Sequence, residues 1–266
     1  MFGPNKTVIA MIHTGASPGT PRNRDTVERI VEQAVSEARE YARHGVDALL
    51  IENMHDVPYL NGAVGPEVVA TMTAVAVAVR NTVPLPLGVQ ILAAANREAL
   101  AVALASSADF VRAENFAYAH VADEGLMPTA DAGPLLRYRR QIGAERVHVF
   151  ADVKKKHSSH AITADVSLAE AARTTEFFGA AGVIVTGAAT GVPASPADVR
   201  CVREAVRVPV LVGSGLTPEN LHEYWPHADG FIVGSSLKRD GVWSNPLDPQ
   251  RIARFKSAAG TLRART

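Results

Sequence analysis

Eight short apolar runs, each followed by a longer segment of helical pattern, divide this chain along its whole length. The runs lie at residues 8–12, 48–51, 87–92, 109–113, 147–153, 182–186, 208–212 and 230–233. Short apolar runs rich in β-branched residues predict buried strands. Because strands alternate with helices, we predict an α/β protein built on a parallel sheet.

The segments between the runs carry the signals expected of helices. The first has apolar residues at helical spacing, namely Val27, Ile30, Val31, Ala34, Val35, Ala38 and Tyr41. Residues 25–28 resemble a capping box, and further helix starts are predicted at Ser167, Ser195 and Thr217. Strand runs and helix starts therefore interleave in register.

Eight such units suit a closed (β/α)8 barrel, which takes about 250 residues. The chain has 266 residues and no segment that resembles a linker, so we predict a single TIM-barrel domain over residues 1–266. An open doubly wound sheet is the competing arrangement. In a barrel of this kind, the functional groups lie at the carboxyl ends of the strands.

Small residues end the last two runs, and these two ends predict a phosphate-binding site. The candidates are Gly213, Ser214 and Gly215 after the seventh run, Gly234, Ser235 and Ser236 after the eighth, and Gly187 after the sixth. Glycine permits tight turns and the close approach of a ligand, so that backbone N–H groups bind an anion. We therefore predict a TIM barrel of the phosphate-binding type, and the alternative is that these glycines only form turns.

Ionisable residues at the other strand ends are candidates for acid–base chemistry. Asp152 and Lys154 are two residues apart, which predicts that they share one face of a strand end. Glu52 directly follows an apolar run, where a buried carboxylate is costly unless it has a partner or a task. We expect Glu52 or Asp152 to be the base, His13 or Lys154 the acid or electrostatic partner, and Arg112 the group that orients the substrate. Structural ion pairs are the alternative interpretation of these residues.

Two long connections are expected at the catalytic face. The lysine- and histidine-rich segment 154–160 is expected to begin a mobile loop that covers the site, and its basicity suits an anionic ligand. Residues 116–130 are expected to form a surface loop.

No cofactor is expected, and no metal site is assigned, because the sequence contains no closely spaced ligand pair of the His-x-His kind. A divalent metal held by Glu52, Asp152, His13 or His157 is the alternative.

Composition limits the partners and the location. Lysine plus arginine and aspartate plus glutamate both number 27, so we expect no nucleic-acid partner and favour a phosphorylated small-molecule ligand. The amino terminus has no signal-peptide pattern, and no apolar stretch reaches the ~18 residues of a membrane span. The single cysteine, Cys201, fits a reducing compartment. We expect a cytoplasmic protein without integral membrane association, and a homo-oligomer is compatible with the sequence.

Several segments carry motifs that are specific for one known family. They include Met11-Ile-His-Thr-Gly-Ala-Ser-Pro-Gly19, Gly45-Val-Asp-Ala-Leu-Leu-Ile-Glu-Asn53, Leu211-Val-Gly-Ser-Gly215 and Ile232-Val-Gly-Ser-Ser-Leu-Lys-Arg-Asp-Gly241. In these motifs the chain resembles the BtpA/SgcQ family over nearly its whole length. The resemblance implies a barrel related to the phosphate-binding group. Residues 154–156 are three lysines where the family is expected to have a His-Val-Lys-like stretch. The resemblance therefore favours Lys156 and His157 over Lys154 as catalytic residues.

Two functional hypotheses follow. The first is an enzyme that acts by acid–base chemistry, as an isomerase or lyase, on a phosphorylated sugar or nucleotide-derived metabolite. The second is a non-catalytic assembly or stability factor, because the family takes its name from a protein needed for photosystem I accumulation in cyanobacteria. Other family members resemble enzymes of sugar metabolism, which agrees with the first hypothesis.

Overall fold

Residues 6–265 are described by the structure, a computed structural model, and they alternate between strands and helices. The strands are β1 (Thr7–His13), β2 (Ala48–Glu52), β3 (Leu87–Gln90), β4 (Phe110–Ala113), β5 (His120–Ala122), β6 (Gly125–Met127), β7 (His148–Val153), β8 (Ser158–Ser159), β9 (Gly182–Val185), β10 (Val210–Val212) and β11 (Gly230–Val233). The α-helices are α1 (Val27–Arg43), α2 (Pro66–Thr82), α3 (Asn96–Ala105), α4 (Ala132–Gln141), α5 (Leu168–Phe177), α6 (Pro196–Ala205), α7 (Leu221–Tyr224) and α8 (Pro249–Arg263).

A closed barrel of eight parallel strands forms the centre of the fold, in the order β1-β11-β10-β9-β7-β4-β3-β2. All eight predicted strands are confirmed, with ends that differ from the predicted ones by at most two residues. Strand β1 pairs with both β2 and β11, so the sheet has no free edge. The predicted TIM barrel is therefore confirmed, and the open doubly wound sheet is excluded.

The helix starts predicted at residues 25–28, Ser167 and Ser195 are confirmed, and the first two carry a side-chain cap. The hydroxyl of Thr26 accepts a hydrogen bond from the backbone of Arg29, and the hydroxyl of Ser167 accepts one from Glu170. The helix start predicted at Thr217 is wrong. Asn220 folds its side chain back onto the backbone N–H of Thr217, and the short helix α7 begins only at Leu221.

Two phenylalanine rings fill the middle of the barrel. Phe110 and Phe150 lie with their ring centroids 5.4 Å apart, within an apolar cluster that includes Ile9, Met11, Leu50, Ile184, Leu211 and Ile232. A methyl group at Gly88 would overlap the Phe110 ring, and one at Gly182 would lie 2.8 Å from the Phe150 ring. Glycine on the neighbouring strands therefore makes room for each ring.

The strand alternation that buries this cluster also places the polar side chains of the site. Successive residues of a strand point to opposite faces, so the inward position after a core residue comes two residues later. On this count His13 follows Met11, Glu52 follows Leu50, Arg112 follows Phe110 and Asp152 follows Phe150. The corresponding positions of β10 and β11 are Gly213 and Gly234, which leave space instead of filling it.

A small sheet covers one side of the barrel mouth. Strands β5 and β6 form an antiparallel hairpin, and β8 pairs with β5. The surface loop predicted for residues 116–130 is therefore a hairpin in its middle part. Loop segment 154–160 contributes β8, so these two connections are joined by backbone hydrogen bonds.

We expect Gly88→Ala to lower the free energy of unfolding by about 1–3 kcal/mol, because overpacking a dense core forces neighbours to move. The measurement is urea denaturation. Gly260→Ala is the matched control, since it adds the same methyl to helix α8, where no atom of residues 6–265 outside the adjacent helix backbone lies within 4 Å of the new group. That control should be neutral or stabilising by up to about 1 kcal/mol. Equal effects of the two variants would contradict the packing argument.

Candidate functional site

A cavity of about 250 Å³ opens at the carboxyl ends of the barrel strands. Its walls combine the glycine-rich strand ends with ionisable side chains from β1, β2 and β4 and from the loop after β7. The lining includes His13, Glu52, Arg112, Lys156, Thr190, Gly213, Ser214, Gly215, Gly234, Ser235, Ser236 and Arg251. The structure thus brings together most of the residues that the sequence predicts for the site.

Free backbone donors line one wall of this cavity. Within residues 6–265, the backbone N–H groups of Gly215, Ser235 and Ser236 have no acceptor. The hydroxyl oxygen of Ser236 is buried and likewise has no partner in that part of the chain. Arg251 also lines the cavity and donates to the carbonyl of Ser236 at 3.3 Å. Several N–H donors beside a guanidinium suit an anion such as phosphate.

Three other predicted members of the phosphate site have partners inside the protein. The N–H of Gly213 donates to the carbonyl of Val185, and the N–H of Gly187 donates to the hydroxyl of Ser214 at 2.7 Å. That hydroxyl in turn donates to the carbonyl of Val192. Gly187 and Gly213 are therefore not the free donors that the sequence predicts, because the loops after β9 and β10 use these groups to bind each other.

Arg112 and Asp152 form a buried bidentate ion pair. Nε and Nη2 of Arg112 donate to the two carboxylate oxygens of Asp152 at 3.0 and 2.9 Å. The exposed fractions of the two side chains are only 3% and 1%, and Asp152 does not itself line the cavity. Asp152 and its neighbouring charges raise the pKa of Arg112 against the effect of burial, so the guanidinium stays charged. Asp152 therefore holds Arg112 towards the cavity.

Glu52 lies beside His13 on the neighbouring strand. Oε2 of Glu52 is 3.6 Å from Nε2 of His13, and Nδ1 of His13 lies 3.2 Å from the carbonyl of Trp243. A carbonyl only accepts, so Nδ1 carries the proton and the lone pair of Nε2 faces Glu52. Burial lowers the pKa of His13 to about 3, with Lys238 adding to the effect. Burial raises the pKa of Glu52, although the charges of Arg112 and Lys156 oppose that rise.

The prediction that Asp152 and Lys154 share one face of the strand end is wrong. Strand β7 ends at Val153, and Lys154 has a left-handed backbone conformation with φ of 47°, which breaks the alternation of the strand. The ammonium of Lys154 donates instead to the carbonyl of Val166 at 2.6 Å, outside the cavity. The lysine that lines the cavity is Lys156, which the family resemblance favours over Lys154 as a catalytic residue.

Lys156 lines the same cavity as the free backbone donors. Its ammonium nitrogen lies 3.2 Å from the hydroxyl of Thr190, and its backbone N–H donates to the hydroxyl of Thr186. Burial lowers the pKa of Lys156, and the nearby charge of Arg112 lowers it further. The site therefore contains a lysine and a glutamate whose pKa values both move towards neutrality.

The four residues considered as metal ligands do not converge. Both oxygens of Asp152 are bound by Arg112, and Nε2 of His157 accepts from the backbone of Thr190 while its Nδ1 faces Asp123 at 3.4 Å. Only Glu52 and His13 remain adjacent. In the part of the chain from 6 to 265, no group of three histidine, cysteine, aspartate or glutamate side chains is arranged to hold a metal ion.

Two contributors are not predicted by the sequence. Arg251 lies in the first turn of α8, 15 residues after Ser236, and Trp243 contributes through its backbone carbonyl. The only sequence signal for Arg251 is a basic residue just after the predicted barrel end. A backbone contact such as that of Trp243 leaves no signal in the side-chain pattern.

Comparison with known proteins identifies the family of this chain. The sequence profile of the BtpA family matches residues 4–261. The chain belongs to the BtpA family. A mitochondrial protein of Caenorhabditis elegans, described as uncharacterized, is 48% identical over 96% of this chain and 94% of its own length. The photosystem I biogenesis protein BtpA of Synechocystis is 34% identical over 97% of this chain and 89% of its own length.

Solved structures share the barrel at low sequence identity. Orotidine 5'-monophosphate decarboxylase of Methanocaldococcus jannaschii has a TM-score of 0.59 and 12% identity over 96% of this chain and 98% of its own. Phosphoribosyl anthranilate isomerase of Thermus thermophilus has a TM-score of 0.58 and 13% identity over 96% and 99%. These likenesses establish a shared fold.

Location is addressed by one structural observation. Among the helices within residues 6–265, none combines the length and the apolar character needed to cross a membrane. The worm relative is described as mitochondrial, so the expected cytoplasmic location stays a prediction for this chain.

We expect stability to fall more steeply in acid for the wild type than for His13→Gln. The unfolded chain binds a proton at His13 below its ordinary pKa of 6.5, whereas the folded protein resists protonation until about 3. Lowering the pH through this window therefore favours unfolding, by up to about 1.4 kcal/mol per pH unit for one proton. Urea denaturation across this range measures the slope. His222→Gln, at an exposed histidine, should keep the wild-type slope, and a wild-type slope in His13→Gln would contradict the assignment.

Proposed function

We propose that this protein is an enzyme that binds a phosphorylated small molecule and performs acid–base chemistry on it, as an isomerase or lyase. The observation that carries the proposal is one cavity that is lined both by free N–H donors and by the side chains of Glu52, His13, Arg112 and Lys156. Groups with shifted pKa values in a cleft are typical of active sites. Phosphorylated sugars and nucleotide-derived metabolites fit the charge of this cavity.

Each polar group of the cavity has a distinct task in this proposal. The phosphate occupies the wall formed by Gly215, Ser235 and Ser236, where Arg251 adds positive charge. Glu52 transfers the proton, since burial raises its pKa and makes the protonated carboxyl easier to reach than in an exposed glutamate. His13 is neutral and presents its Nε2 lone pair to Glu52, while Arg112 orients an oxygen of the substrate.

Names of the structural relatives agree with a phosphorylated ligand. Besides the two enzymes named above, a geranylgeranylglyceryl phosphate synthase of Thermoplasma acidophilum, solved with sn-glycerol-1-phosphate, shares the barrel with a TM-score of 0.58 and 14% identity. This support concerns the ligand class. The proposal includes no cofactor and no nucleic-acid partner.

A negative charge introduced at the phosphate wall is expected to weaken phosphate binding. Ser235→Asp places a carboxylate among the free donors, whereas Ser235→Asn has the same shape without the charge. We expect inorganic phosphate and sn-glycerol 3-phosphate to bind about tenfold or more weakly to the aspartate variant, because like charges at short range repel. Isothermal titration calorimetry at constant ionic strength measures both affinities. Equal losses in the two variants would remove the phosphate wall from the proposal.

Removing the proton-transfer group is expected to abolish chemistry and leave binding intact. Glu52→Gln keeps the size of the side chain and removes its titration, so proton exchange should fall by about a hundredfold or more. Mass spectrometry of deuterium incorporated from D₂O into a panel of sugar phosphates measures the exchange, whatever the product of the reaction is. Glu176→Gln is the control, because Glu176 accepts backbone hydrogen bonds from residues 207 and 208, outside the cavity. Unchanged exchange in Glu52→Gln would contradict the role of Glu52.

The second candidate function is a non-catalytic assembly factor. It is favoured by the Synechocystis relative, which is named for photosystem I biogenesis. Such a role predicts that Glu52→Gln retains full biological activity, while substitutions on the outer surface abolish it. Complementation of a strain that lacks its own family member therefore separates the two functions.

A further inference from the structure

We propose that Lys156 is a nucleophile that forms a Schiff base with the carbonyl carbon of a phosphorylated ketone or aldehyde. This inference rests on the proposed function, because it uses the phosphate wall to hold the substrate. It narrows the substrate to compounds that combine a phosphate with a carbonyl group.

The first argument is that Lys156 forms no ion pair with a carboxylate within residues 6–265, although Glu52 is near enough to act on its charge. Other buried lysines form such pairs: Lys155 lies 3.3 Å from Glu114 and 3.7 Å from Glu124, and Lys238 lies 3.3 Å from Glu37. Among residues 6–265, the ammonium nitrogen of Lys156 has a single hydrogen-bond partner, the hydroxyl of Thr190. A carboxylate partner keeps a lysine charged, and a hydroxyl does so far less. Lys156 is thus placed where the uncharged amine is favoured.

The second argument is the charge around Lys156. Arg112 lines the same cavity and is permanently charged through its pair with Asp152. A buried cation next to a lysine disfavours a second positive charge, which is one of the general ways in which proteins make a lysine nucleophilic. Desolvation is the larger effect and acts in the same direction. The carboxylates of Glu52, Asp152 and Glu114 oppose both effects, and the pKa of Lys156 is nevertheless lowered.

The third argument is the position of Lys156 in the cavity. Lys156 and Thr190 line the same cavity as the free N–H groups of Gly215 and Ser235. Gly215 packs against residues 192 and 193 of the loop that also carries Thr190, so the amine and the free donors belong to neighbouring parts of the barrel mouth. The cavity volume of about 250 Å³ suits a ligand of a few carbon atoms with one phosphate. A phosphate bound at one wall therefore leaves the remaining carbons of the substrate near the amine.

Glu52 is the proton donor when the Schiff base forms. The neutral amine of Lys156 attacks the carbonyl carbon, a C–N bond forms, and the carbonyl π electrons move to the oxygen. The proton of Glu52 and one amine proton end on that oxygen, the C–O bond breaks, and water leaves. The products are an iminium on Lys156, a carboxylate on Glu52 and one water. The iminium then withdraws electrons from the adjacent carbon, which an isomerase or lyase needs.

Reductive trapping tests the inference directly. The protein is incubated with dihydroxyacetone phosphate and sodium cyanoborohydride, and peptide mass spectrometry locates the adduct. We expect one adduct at Lys156, lost in Lys156→Arg and retained in the neighbouring control Lys154→Arg. Hydroxyacetone, which lacks the phosphate, should give at least tenfold less adduct, and sn-glycerol 3-phosphate should compete. An adduct spread over several lysines, or one that survives Lys156→Arg, would overturn the assignment.

Calorimetry separates this inference from the function on which it rests. If dihydroxyacetone phosphate and sn-glycerol 3-phosphate both bind but no adduct forms, the Schiff base is excluded and the phosphate site stands. If neither compound nor inorganic phosphate binds, the proposed function itself fails.

A measurement that needs no ligand completes the test. The pH dependence of Lys156 acetylation by acetic anhydride should reach its plateau at lower pH than that of N-acetyl-lysine amide in the same tube. If acetylation of Lys156 reaches its plateau at an equal or higher pH, the proposal that the amine is uncharged is wrong.

Discussion

Two phenylalanine rings, packed against glycine residues of the neighbouring strands, fill the interior of the closed barrel. The functional site depends on this packing. Phe110 and Phe150 fill the interior because Gly88 and Gly182 present no side chain towards them. The strands that carry the two rings then carry Arg112 and Asp152 two residues later, so the ring pair and the ion pair are successive layers. The apolar layer excludes water from below, which strengthens the charge interactions above it.

Charge compensation in the site is incomplete. Asp152 neutralises Arg112 with both carboxylate oxygens. In the part of the chain from 6 to 265, Lys156 forms no ion pair and the carboxylate of Glu52 is paired only with the neutral His13, although Glu52 and Lys156 act on each other's charge. Burial acts on both in opposite senses, since it favours a protonated carboxyl and an unprotonated amine. A carboxyl acid and an amine base in one cavity are a suitable pair for proton transfer. The ion pair of Arg112 and Asp152 beneath them holds the guanidinium in position and contributes to the electric field in the cavity.

The sequence predicts the barrel well and the site only in part, for a physical reason. Strand ends follow from local apolar runs, so His13, Glu52 and Arg112 are found at the mouth as expected. The path of the chain beyond a strand end depends on tertiary contacts, and this is why the position predicted for Lys154 is wrong. The hairpin of β5 and β6 escapes prediction for the same reason, because its partner strand β8 is distant in sequence. Arg251 joins the site only once the barrel closes.

Three consecutive lysines serve three separate parts of the molecule. Lys154 binds the carbonyl of Val166 near helix α5, Lys155 is paired with Glu114 and Glu124, and Lys156 lines the cavity. The left-handed residue at 154 sets the rotation that divides them. Inserting or deleting one residue here would exchange the surroundings of all three side chains at once. The length of this turn is therefore under as strict a constraint as any strand, although its composition resembles an ordinary charged loop.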